Sequence, residues 1–268
     1  MASSLPVLYI PHGGGPCFFM NPPPGPPGTW TAMEAFLRLL PTLVGIVPRA
    51  LLVVTAHWEE SVCSVQGAER PGMLYDYYGF PDYTYELKYE APGEPQLAER
   101  VKELLTGAGI QARIDPNRGF DHGTFVPLMV SFPRADLPVV QLSLRSDLDP
   151  AAHIAIGRAL QPLRKEGVLI IGSGSSYHNL GLFFSQRGNK DAKLFDDWLT
   201  ETVSQNNTER RNEGLVNWAR APGARSAHPR EEHLLPLHVC AGAAGPDQGS
   251  RCHHESLLGK AISAYRFG

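Results

Sequence analysis

Ile170-Ile-Gly-Ser-Gly-Ser-Ser-Tyr-His178 is an apolar run that passes through small residues straight into a histidine. Leu8-Tyr-Ile-Pro-His12-Gly-Gly-Gly15 and Leu52-Val-Val-Thr-Ala-His57 repeat the design. Each run reads as a buried strand whose carboxyl end carries the histidine. The apolar runs Leu5 to Ile10, Ala50 to Thr55, Pro138 to Leu144 and Val168 to Ile171 are rich in Val, Ile and Leu, as strands covered on both faces are.

Helix-period segments lie between these runs. One carries Met33, Phe36, Leu37 and Leu40; a second carries Leu97, Val101, Leu104 and Leu105, with Pro95 near its start and Gly107 near its end. A third starts at Asp149-Pro150 and runs through Ile156, Leu160 and Leu163 to Gly167, and a fourth carries Phe195, Trp198, Leu199 and Val203. Alternating strands and helices predict an α/β fold: a single domain over residues 1–268, with a central, largely parallel or mixed sheet flanked by helices. No repeat and no inter-domain linker interrupts it.

The 268 residues carry 24 Lys+Arg against 27 Asp+Glu, a formal net charge of -3, so no basic excess recruits nucleic acid or an anionic membrane. No apolar run approaches the roughly 20 residues of a membrane span, and the start of the chain lacks the basic and apolar regions of a signal peptide. The expected location is the cytoplasm. Cys17, Cys63, Cys240 and Cys252 show no CxxC spacing and read as reduced thiols.

Function therefore turns on the ten histidines. A lone histidine beside a strand is ordinarily a satisfied core or surface residue. Three at equivalent strand ends converge in space, where open α/β sheets bind ligands. Two more stand in distinctive settings, His122 in Gly119-Phe-Asp-His-Gly-Thr-Phe-Val-Pro127 and His233 in His228-Pro-Arg-Glu-Glu-His-Leu-Leu-Pro236. Asp121 either orients the His122 ring or, with Thr124, caps the following helix. Glu231 and Glu232 read as solvated residues at a helix start. His153, His238, His253 and His254 read as structural or surface residues.

A histidine-rich crevice without paired thiols suits a borderline metal and acid–base work by an unligated imidazole. There is no GxSxG, so His12-Gly-Gly-Gly15 has no nucleophile to serve as an oxyanion hole; HExxH and Walker A motifs are absent too. Six of the nine tyrosines fall between Tyr75 and Tyr89, a stretch that reads first as an aromatic strand or hairpin. Tyr75, Tyr78 and Tyr177 are the candidates for walling an aromatic substrate.

Six segments together resemble the class III extradiol ring-cleaving dioxygenases, in the 4,5-DOPA dioxygenase branch. They are PHGGGP around His12, TAHWE around His57, YDYYGFP from Tyr75, RGFDHGTFVPL from Arg118, IGSGSSYHNL from Ile171 and HPREEHLLPL from His228. They occur in order over most of the chain. The resemblance implies that His12, His57 and His233 bind one divalent metal, His233 being preferred to His228 because the family's ligand immediately precedes the LPL helix. It implies His178 as the acid–base residue, sometimes counted as a fourth ligand, and His122 as a pocket residue that stabilises superoxide or a substrate oxyanion.

Non-heme Fe(II) is then the metal of turnover, with Zn(II) compatible with three imidazoles, and a catechol and O2 are the substrates. This chain differs from protocatechuate-type enzymes, in which the third ligand is a glutamate. Two other readings of the same residues are a non-enzymatic metal-binding protein that keeps the fold, and a zinc-dependent hydrolase with His178 as base.

Overall fold

The computed structural model describes residues 4–268. Its strands are β1 (Val7–Pro11), β2 (Ala50–Glu60), β3 (Cys63–Gln66), β4 (Ala112–Asp115), β5 (Val139–Arg145), β6 (Val168–Gly174), β7 (Gly249–Leu257) and β8 (Lys260–Phe267). They form one sheet in the order β4-β3-β5-β2-β6-β1-β8-β7. The four apolar runs are its centre: β5, β2, β6 and β1 lie side by side and parallel. The sheet is mixed, because β3 pairs antiparallel with β5 and the β7–β8 hairpin adds antiparallel to β1.

The helices are α1 (Thr31–Val44), α2 (Pro95–Gly107), α3 (His122–Ser131), α4 (Pro150–Leu160), α5 (Leu180–Phe183), α6 (Asn189–Val203), α7 (Thr208–Val216), α8 (Ala224–Ala227) and α9 (Leu235–Ala244). α4 stops short of the expected Gly167. Pro162 cannot donate the next helical hydrogen bond, and the chain tightens into a 3-10 turn over Gln161–Arg164. The tyrosine-rich segment is neither strand nor hairpin. It is irregular with one 3-10 turn, Asp82–Glu86, and its rings pack edge-on against one another.

Successive residues of β6 show how the sheet is covered. A β-carbon on Gly172 would stand 2.6 Å from the Pro236 carbonyl of α9, whereas Ser173 donates to the carbonyl of Gly123 in α3. Neighbouring strand residues point to opposite faces, so α9 and α3 sandwich the carboxyl end of β6. Every residue of α9 is buried, which explains a helix that is apolar all round. Its arrival over β6 brings the tract containing His233 beside the strand that leads to His178.

Candidate metal centre

β2, β6 and β1 are adjacent, so the histidines beyond the ends of β1 and β6 meet the one in β2, which runs on to Glu60 past the strand end expected at Thr55. β1 ends at Pro11, paired with Gly174, and His12 follows. β6 ends at Gly174, and His178 follows four residues later. His57 lies inside β2 where the register with β5 shifts between Val54 and Glu59. That irregularity frees the segment from regular pairing, as bulges beside functional sites do. His233 is laid against β6 because residue 174 has no side chain: a β-carbon there would be 2.1 Å from the His233 carbonyl oxygen. Tyr9 holds the same carbonyl with a hydroxyl hydrogen bond of 2.8 Å.

Ring nitrogens of His12, His57 and His233 lie within 4.8 Å of one another. The surrounding hydrogen bonds decide which nitrogens are bare. Ser173 gives its proton to the Gly123 carbonyl, so its oxygen accepts from His12 Nδ1–H at 3.1 Å. Asp76 accepts from His57 Nδ1–H at 3.2 Å, and Glu232 accepts from His233 Nδ1–H at 3.0 Å. Each ring is thus left with a lone pair on Nε2, and the Nε2 atoms of His12 and His57 face each other at 3.1 Å. Opposed lone pairs repel unless a cation lies among them. Three convergent neutral imidazoles, each oriented by a polar partner behind it, fit one borderline divalent cation.

Burial first, and then the neighbouring imidazoles, hold His12 and His57 well below the usual histidine range. His233 is pushed down to about 4 by burial and then by His178, with Glu232 opposing. All three remain neutral, and so able to ligate, well into mild acid. Burial pushes the Glu232 carboxyl up, but hydrogen bonds from His178 and His233 outweigh it and hold the group well below the usual range.

Two further histidines complete the cluster. His178 stacks on His233 with ring centroids 3.3 Å apart, and its Nδ1 lies 3.1 Å from the Glu232 carboxylate that also serves His233. His122 starts α3, its ring 3.9 Å from that of His57, with Nδ1 2.8 Å from Asp76.

The histidine assembly forms one wall of a cavity of about 370 Å³, otherwise lined mainly by apolar and aromatic side chains, including Trp30, Met33, Phe80 and Phe183. That volume accommodates a substituted single ring.

Several sequence expectations change here. Asp121 does not touch the His122 ring; it caps α3 and accepts from Thr55 at 2.8 Å and Arg118 at 3.0 Å. Asp76 orients His122 instead. Glu232 is not a solvated helix-start residue, since α9 begins at Leu235 and the Glu232 side chain is only 12% exposed between two imidazoles. His228 is buried apart from the cluster, bonded through Nε2 to the Ser176 carbonyl at 3.0 Å.

Among the tyrosines, Tyr177 lines the cavity but Tyr75 and Tyr78 do not. Tyr78 is 91% exposed, and Tyr75 packs against Tyr77, Tyr85 and Phe125 while its hydroxyl donates to the Leu87 carbonyl. Tyr77, next in sequence to Tyr78, takes the lining position. His153 and His238 are buried with backbone hydrogen bonds, as structural residues are. The four cysteines are unpaired.

Residues 6–267 match the family model described as the catalytic LigB subunit of aromatic ring-opening dioxygenase. The chain belongs to this family of metal-dependent ring-opening enzymes. Dioxygenase tasH of Hapsidospora irregularis is 37% identical over 98% of this chain and 85% of its own length. The 4,5-DOPA dioxygenase extradiol of Beta vulgaris is 43% identical over 82% of this chain and 83% of its own. The Escherichia coli K12 protein of the same name is 38% identical over 73% of each chain.

A crystal structure of an uncharacterized protein from Escherichia coli K12 superposes with a TM-score of 0.77 at 28% identity, covering 98% of this chain and all of that one. The chain is an extradiol aromatic ring-opening dioxygenase, acting on an aromatic substrate with O2. No described helix is long and apolar enough to cross a membrane.

Proposed function

We propose that the enzyme opens a catechol beside its hydroxyls, with one divalent metal held by His12, His57 and His233, Fe(II) being the metal of turnover. Three neutral imidazoles also accept Zn(II), so purified protein can carry either ion. Fe(II), when bound, supplies Lewis acidity toward the catechol oxygens and a one-electron couple that Zn(II) lacks. The observation that carries the reading is the convergence of three Nε2 lone pairs beside two further imidazoles on the same cavity.

His178 fits the acid–base role. Its Nδ1–H is committed to Glu232, which leaves Nε2 to take a catechol proton and later return it. The Glu232 carboxylate stabilises the imidazolium in between, and stacking on His233 fixes the ring plane. His122 lines the cavity with its Nδ1–H held by the Asp76 carboxylate, and in its doubly protonated form its Nε2–H would donate to a substrate oxyanion. Tyr177 contributes its ring to the substrate wall.

The test is anaerobic reconstitution with Fe(II), then oxygen uptake and product mass across a catechol panel headed by DOPA, the compound in the names of the Beta vulgaris and Escherichia coli relatives. The expected products are ring-opened semialdehydes carrying both oxygen atoms. Absence of uptake with every catechol would overturn the reading.

A further inference from the structure

The cavity walls bear on a feature that the chemistry of ring opening leaves undetermined, the substituent on the catechol. Resting on the ring-cleaving reading above, we infer that this site takes a catechol with an uncharged, apolar substituent in preference to one bearing an amino-acid side chain. Among the described residues, no lysine, arginine, aspartate or glutamate lines the cavity.

The ionised groups nearby are engaged elsewhere. Asp76 and Glu232 stand behind imidazoles. Lys260, 5.9 Å from the Tyr177 ring, donates to the carbonyls of Ser185 and Arg187 and to the Asn189 side chain.

Polar side chains in the wall other than the histidines are turned away in the same manner. Trp30 Nε1 donates to the Pro24 carbonyl at 2.7 Å, the Tyr77 hydroxyl to Thr84 at 2.5 Å and the Ser175 hydroxyl to Tyr177 at 2.7 Å. The Tyr177 hydroxyl is buried without a hydrogen-bond partner and turns toward Gly188, 3.3 Å from where a β-carbon would stand there. Both tyrosines therefore present rings to the cavity and keep their hydroxyls behind its wall. Away from the histidines that hold the catechol oxygens, an α-carboxylate and ammonium entering here would shed water without finding a lysine, arginine or carboxylate partner.

The rim adds a second, independent observation. Leu180 and Phe184 border the cavity and are 68% and 82% exposed. Large apolar side chains left open at a cavity mouth mark a surface that a ligand covers. With the catechol oxygens at the histidines, the substituent occupies the remaining space, walled by Met33, Phe80, Phe183 and Leu257 and closed at the rim by Leu180 and Phe184.

Anaerobic calorimetric titration of the metal-loaded enzyme with 4-methyl- to 4-butylcatechol, DOPA and 3,4-dihydroxyphenylpropanoate tests this, with oxygen uptake measured on the same compounds. Affinity is expected to rise about fourfold per methylene, and DOPA to bind at least about tenfold more weakly than 4-propylcatechol. DOPA binding as tightly as 4-propylcatechol, or an affinity independent of chain length, would overturn the inference.

Leu180→Arg supplies the missing cation and is expected to tighten dihydroxyphenylpropanoate at least about fivefold relative to 4-propylcatechol; an unchanged ratio counts against the rim as the substituent's seat. The two readings fail differently. Chain-length-dependent binding without oxygen uptake keeps the substituent preference and removes ring cleavage, whereas turnover with DOPA preferred keeps ring cleavage and removes the preference.

Discussion

His228 and His233 occur in one short tract, and acidification of a His228 variant tests the structural role of the first. His228 is fully buried between the rings of Phe195 and Trp218; Nε2–H donates to the Ser176 carbonyl and Nδ1 has no partner. Burial pushes the ring down to about 3 from an ordinary 6.5. The unfolded chain therefore takes up this proton first. Stability held by the neutral ring is fully present above about pH 6.5 and is lost as pH falls toward 3, with roughly 2 kcal/mol lost by pH 5.

The assay is denaturant unfolding of metal-free protein at pH 7.5 and pH 5.0, for wild type and His228→Gln. The glutamine retains a donor for Ser176 but cannot titrate. Other buried histidines titrate alike in both proteins, so the fall in stability between the two pH values should be about 2 kcal/mol smaller in the variant. Equal falls would refute the assignment of His228 as a neutral structural histidine.

Asp76 accepts from both His57 and His122, and Asp76→Asn should weaken metal binding about 10- to 100-fold, read by competition with a chelating dye. Gly174→Ala forces the His233 carbonyl away and should lower metal occupancy, whereas Gly72→Ala, with nothing within 4 Å of its new β-carbon, should leave occupancy at the wild-type level. His178→Ala should keep the fold and most of the metal while losing about 10²- to 10⁴-fold in turnover with a catechol.

The centre of the fold was legible because four strands are buried on both faces and spell continuous apolar runs. The edges were not. β3 and β4 are four residues each, too short to show a period, and β7 is a polar outer strand in which only Gly249 and Leu257 are buried. Among the cluster histidines, His12 and His178 follow strand ends and His122 starts a helix, which made them legible; His57 lies inside β2, and His233 was told from His228 only by the family resemblance.

What escaped was the set of carboxylates behind them. Asp76 lies in an irregular segment whose path no local pattern fixes, and Glu232 becomes buried only when α9 docks over β6. Tyr77 rather than Tyr78 reaches the cavity for the same reason: without a regular period, neighbouring tyrosines are indistinguishable in sequence.

If His12, His57 and His233 together hold one metal ion, removing any one of them empties the site. The most direct measurement is metal content per chain, by elemental analysis, of wild type, His233→Ala and His228→Gln purified in parallel. One divalent metal per chain is expected in wild type and His228→Gln, and near none in His233→Ala. A His233→Ala protein that retained one metal per chain would contradict that ligand set.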